Sequence, residues 1–289
     1  MQEHRANRIP PHAYFVVSAV FHYLGPALAA LLFGHIDVLG VAWLRIVGAG
    51  AFFAAWRKPW RFTAALTPRR RTTLVGFGIV LAVMNACFYL AIDRLPLGTV
   101  GAIEFLGPVG LAALGARGRR NGAALVLAVA GVYLLADVRF AGEPLGFAFA
   151  FANAGLFVAY VVLGHRIATD GAGGGVDLLA AAMLVASIVI TPLGLAEAIP
   201  AMGRPPLVAA GIGVGLCSSV IPYVADQMAM ARLERATFAL LLSILPATAT
   251  LIGVLVLGQI PTALEIVGVL LVVAAVALHE SKAAVASRA

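Results

Sequence analysis

The sequence predicts an all-α integral membrane protein of ten transmembrane helices arranged as two inverted five-helix repeats, and three observations predict it. Apolar runs of about 20 residues, the length that crosses a hydrocarbon core as helix, recur from one end of the 289 residues to the other. Lysine and arginine collect in alternate loops. A small set of residues in the first half returns in the second at a constant offset.

The apolar runs place spans at 13–33, 38–56, 72–91, 97–116, 121–137, 145–163, 176–196, 207–229, 236–257 and 262–279. The first carries small residues around 26–30 that imitate a signal peptide, but further spans follow at once, so it is read as retained. Composition agrees: 62% of residues are hydrophobic, 11% are charged and the mean hydropathy is +1.00, whereas a soluble domain carries roughly 25% charged residues.

Orientation follows from the loops. With the N-terminus inside, sixteen of the twenty Lys and Arg residues face the cytoplasm, including the clusters at 57–71 and 117–120. Only Arg94, Arg139 and Arg204 face the other side, and Arg45 falls within a span. Losing one helix would reverse every later loop, so the asymmetry supports an even number of spans with both termini cytoplasmic in a bacterial inner membrane. The net charge of +7 therefore reports topology, and no nucleic-acid partner is expected.

Arg94, Leu95, Thr99 and Pro108 recur 138 positions later as Arg232, Leu233, Thr237 and Pro246. Five spans per unit is an odd number, so the second copy runs upside down, a hallmark of secondary transporters. The units are 13–137 and 145–279, followed by a short tail at 280–289.

Charges inside hydrocarbon are costly and face the protein interior. Arg45 and Glu104 each lie eight residues past the outer start of their spans, about 12 Å deep at 1.5 Å per residue. Equal depth allows an ion pair or a shared polar pocket, in a structural, a substrate-binding or a proton-handling role. Asp226 lies six residues from Arg232, about 9 Å from the cytoplasmic interface, within reach of water. His22, Tyr23, Asn85, Tyr89, Asn153, Tyr160 and Tyr223 are polar or aromatic groups within spans that together could line a cavity or, singly, bond helix to helix. Pro108 and Pro246 fall mid-span as expected hinges or static kinks.

Cys87 and Cys217 each sit in a span, too far apart in sequence for a disulfide framework or metal spacing. GxxxxGK[ST], HExxH and GxSxG are absent, and the glycines at 211, 213 and 215 miss GxGxxG because residue 216 is Leu. No cofactor, metal or enzymatic activity is expected.

The segments NACFYLAIDRLPLGTVGAIEFLGP at 85–108 and SSVIPYVADQMAMARLERATFALLLSILP at 218–246, with WLR ending at Arg45 and AYVVLGHR around Tyr160, resemble the drug/metabolite transporter superfamily, EamA type, and within it the threonine and homoserine exporters. The likeness runs over nearly the whole chain. It implies ten helices around a central cavity and export of small metabolites, amino acids or their analogues, by proton exchange or facilitated diffusion, as monomer or homodimer. The branch commonly has Glu where this chain has Asp226, and smaller polar groups where it has Phe21, His22 and Tyr23.

The resulting expectation is a secondary exporter whose transport path includes His22, Arg45, Asn85, Tyr89, Glu104, Tyr160, Tyr223 and Asp226. Arg45 would take a carboxylate, and Glu104 or Asp226 an ammonium group or a proton. An intramembrane lipid-modifying enzyme using the same carboxylates and a non-transporting scaffold are the competing classes.

Overall fold

The computed structural model describes residues 10–63, 66–107, 119–137, 143–169, 175–233 and 245–278, and among these every regular element is a helix. In chain order they are α1 (Pro11–Ala30), α2 (Val38–Arg57), the single turn α3 (Trp60–Thr63), α4 (Pro68–Ile92), α5 (Leu97–Glu104), α6 (Arg119–Asp137), α7 (Pro144–Thr169) and α8 (Gly175–Met202). After them come α9 (Pro205–Gly215), which runs through a π-turn at Leu216–Val220 into α10 (Ile221–Met230), then α11 (Leu245–Leu257) and α12 (Ala263–Leu278).

Each expected span contains a helix. Among the described residues six segments are long and apolar enough to cross a membrane: α1, α2, α4, α7, α8 and the continuous Pro205–Met230. Expected span four is represented by α5 and the residues up to 107, and span nine by α11. Pro108, Thr237 and the tail lie outside the described residues. Pro246 is buried and is the second described residue of α11.

Local chemistry sets the boundaries. The Asp37 carboxylate accepts the Leu39 N–H at 2.9 Å and caps α2, which ends at Lys58 in the left-handed conformation, φ 49°. Thr262 and Glu265 form a reciprocal capping box at the start of α12: the Glu265 side chain accepts the Thr262 N–H at 2.8 Å, and the Thr262 hydroxyl accepts the Glu265 N–H at 3.2 Å.

The helices pack as in lipid, where backbone proximity replaces the hydrophobic effect. α2 lies along α8, α6 along α12, and α4 against α7 and α8. A Cβ at Gly40 would sit 2.6 Å from the Glu197 carbonyl oxygen, and one at Gly194 would overlap the Leu39 carbonyl, so α2 and α8 touch backbone to backbone. Large apolar residues such as Ile188, Leu255 and Ile260 point outward, while Arg45, Asn85, Glu104, Asn153 and Asp226 are buried. This inside-out partition fits lipid as the solvent: the chain is a multi-pass membrane protein.

Candidate functional site

The buried polar residues gather into two carboxylate nests and an arginine seat. Arg45, on α2, is 3% exposed. Its Nε donates to Ser219 Oγ at 3.0 Å, its Nη2 to the Ser218 carbonyl at 2.9 Å, and its guanidinium lies over the Tyr89 ring, 5.0 Å from the centroid. The backbone explains why that carbonyl lacks the usual helical donor. In an α-helix its donor would be the N–H four residues on, but residue 222 is Pro and has none. The π-turn ahead of Pro222 and the missing donor leave the Ser218 oxygen to the arginine. Gly25 of α1 completes the seat, since a Cβ there would overlap Ser218 Oγ.

Glu104, at the end of α5, is 1% exposed. Its Oε2 accepts the Tyr23 hydroxyl at 3.0 Å and its Oε1 accepts Asn153 Nδ2 at 2.9 Å, while His22 Nε2 stands 3.7 Å from Oε2. The expected Arg45–Glu104 ion pair does not form: among the described residues no nitrogen of Arg45 comes within 4 Å of Glu104. The shared pocket does form. Both residues line one small cavity together with His22, Asn85, Asn153 and Tyr223, with a free volume of about 10 Å³, room for about one water molecule. The arginine is held at the π-turn instead, because two acceptors there already meet its fork.

Asp226, on α10, accepts Ser18 Oγ at 2.5 Å on Oδ1 and the Tyr160 hydroxyl at 2.6 Å on Oδ2. It is 6% exposed, so the expected reach to water is corrected: helical rise places the residue near the interface, but Ser18 and Tyr160 cover the carboxylate. Asp226 does not line the cavity. Asn85 Nδ2 donates to Tyr223 Oη at 3.0 Å and to the Leu81 carbonyl at 2.6 Å. Phe77, Phe157 and Tyr223 pack around Tyr160, with ring centroids 5.5–5.7 Å away.

Four buried polar atoms of the site have no hydrogen-bond partner: Arg45 Nη1, Tyr89 Oη and Ser218 Oγ at the arginine seat, and Asn153 Oδ1 beside Glu104. Such atoms are costly to leave unpaired. The arginine seat thus holds an unpaired donor, and the Glu104 side an unpaired acceptor. Sequence reasoning missed Ser18, Ser218, Ser219 and Gly25. The one available signal was the Ser-Ser pair lying four and three residues ahead of Pro222 within an apolar span. Among the described residues no cluster of potential metal ligands occurs.

A profile of the EamA-like transporter family matches residues 141–279. The threonine/homoserine exporter RhtA of Salmonella typhimurium (strain LT2) is 32% identical over 257 residues, 87% of this chain and 84% of that protein. The protein of the same name from Escherichia coli (strain K12) is 31% identical over the same share. One crystal structure of a protein superposes with TM-score 0.61 at 19% identity, covering 92% of this chain and 97% of its own, and so shares the fold. The extent and identity of these matches make the chain a member of the EamA-like transporter family, within the drug/metabolite transporter superfamily.

Proposed function

We propose that this transporter exports small amino acids of the threonine and homoserine type across the bacterial inner membrane by alternating access. The observation that carries the reading is the bipolar cavity: Arg45 with an unused Nη1 on one side, Glu104 with the unused Asn153 Oδ1 on the other. A zwitterion satisfies both poles, its carboxylate on Arg45 and Ser218 and its ammonium on Glu104 and Asn153. The curated relatives bear the name of threonine/homoserine exporters, which supports the same class.

Ten crossings in two inverted halves complete the proposal. The 138-residue offset carries α4 onto 206–230, and the structure has one continuous segment at Pro205–Met230. It carries α2 onto α8 and α6 towards α12, and in each case the two partners pack together. Asn85 and Tyr223, 138 residues apart, hydrogen-bond to each other, as equivalent positions do where a two-fold axis passes between them. Cytoplasmic termini follow from the positive-inside count. Pro108 and Pro246 serve as hinges in this scheme.

At one end of the bundle Arg69, Arg70, Thr73 and Arg166 line a basic vestibule, and at the other Asp93, Arg94, Thr99, Gln259 and Glu265 line a second opening of mixed charge. The small central cavity between them represents a contracted state that must widen to admit a solute. Counterflow of labelled amino acids in proteoliposomes tests the function. Exchange of threonine or homoserine but not of dicarboxylates or sugars is expected, and absence of exchange for every amino acid overturns the reading.

A further inference from the structure

We infer, resting on the exporter reading, that Gln227 is a second solute contact: its side-chain amide binds the amino acid on its way between the basic vestibule and the central cavity.

Gln227 lies on α10, one residue beyond Asp226, and is 2% exposed. Both ends of its amide, Nε2 and Oε1, are buried without a hydrogen-bond partner. A primary amide offers two donors and a carbonyl acceptor, and leaving them unmet in a protein interior is costly. A residue that only filled space there would be apolar. The surroundings instead make room for the amide. A Cβ at Gly175 would stand 2.8 Å from Oε1, and one at Gly164 would stand 3.4 Å from Nε2. Two glycines, one on α7 and one opening α8, thus keep a slot for a polar group that has nothing to bond in this state.

The place of the slot in the bundle points to the ligand. On α4, Thr73 and Leu74 line the vestibule, Phe77 lies a turn further in, and Asn85 lines the central cavity. On α7, Arg166 and Ile167 line the vestibule, Gly164 and Tyr160 follow, and Asn153 lines the cavity. A Cβ at Gly164 would also meet the Phe77 ring at 3.6 Å, and that ring stacks on Tyr160. Along both helices the amide therefore falls between vestibule and cavity. The vestibule has a free volume of about 750 Å³ and the cavity about 10 Å³, so in this state a solute fits the first and not the second.

The chemistry suits a zwitterion. Arg69, Arg70 and Arg166 give the vestibule a positive field that draws the carboxylate end inward. When α7 and α8 part from α10, Nε2–H donates to that carboxylate and Oε1 accepts from the ammonium group. A neutral amide meets both ends without adding charge to the path, and it holds them less tightly than Arg45 and Glu104 do, so the solute moves on. Closure leaves the amide unpaired again, as observed, which favours the next opening.

Two measurements on the full chain test this contact. Gln227→Met is close in shape and apolar. It is expected to lower threonine counterflow in proteoliposomes at least about tenfold, while the purified variant melts at or above the wild-type temperature because the unpaired amide is gone. Counterflow within about threefold of wild type overturns the proposal. So does slower counterflow with a lower melting temperature, the signature of a packing role. The contact itself is read on wild type by NMR. The chain has three glutamines, Gln2, Gln227 and Gln259, and Gln2→Ala and Gln259→Asn identify two of the side-chain amide signals, which leaves the third to Gln227. Overhauser transfer between that amide and saturating threonine is expected. Its absence overturns the proposal, and this measurement decides if Gln227→Met does not fold. Wild type that exchanges no amino acid sinks the exporter reading, whereas exchange by wild type with either negative result at Gln227 sinks the second contact alone.

Discussion

Glu104 and Asp226 are both carboxylates buried among helices, and both accept two hydrogen bonds, yet their settings differ in kind. Glu104 accepts from Tyr23 and Asn153, borders the cavity and faces a histidine. Asp226 accepts from two hydroxyls at 2.5 and 2.6 Å, which tie α1 and α7 to α10, and has no place at the cavity. Burial alone does not make a carboxylate functional; adjacency to space and to unpaired polar atoms does. In the proposed function Glu104 handles solute, and Asp226 is proposed to lock helices.

The largest effect should come from Glu104. Glu104→Gln keeps the shape and removes the charge, so threonine counterflow should fall about 100-fold, about 2.7 kcal/mol, with melting temperature little changed. Equal transport by a folded Glu104→Gln protein would break the comparison. Gly25→Ala should come next. Its Cβ would overlap Ser218 Oγ and push the π-turn off Arg45, lowering transport about 30-fold together with thermal stability.

Asp226→Asn should reverse the balance. One of the two hydroxyls then faces an amide donor, which costs about 1–3 kcal/mol of stability. Transport by the folded fraction should stay within about threefold of wild type. A selective loss of transport at unchanged stability would instead place Asp226 on the solute path. The smallest effect is expected for Pro222→Ala, which returns a backbone N–H aimed at the Ser218 carbonyl. Competition with Arg45 for that oxygen should weaken threonine binding about fivefold, without loss of fold.

Much of this was legible before the structure, for physical reasons. Hydrocarbon demands long apolar helices, so α1, α2, α4, α7 and α8 fall within a few residues of the expected spans, apart from longer C-terminal ends on α7 and α8. Arg45 and Glu104 stood out because a charge inside such a run is rare. Their partners did not, because serines are common in membrane helices and Ser218 becomes an acceptor only through Pro222. The face that a residue presents was not readable either: Asp226 is sealed by Ser18, 208 residues away in sequence. Such long-range closure depends on how α1 packs on α10, which apolar patterning does not encode.

The central claim is that one cavity reads both ends of an amino acid. Calorimetric titration of the purified wild-type protein with threonine, N-acetylthreonine and threonine methyl ester tests it most directly. Threonine alone should bind well, with removal of either charge weakening binding by at least about tenfold, about 1.4 kcal/mol. Binding of the acetylated or esterified compound as tight as that of threonine itself would contradict the account.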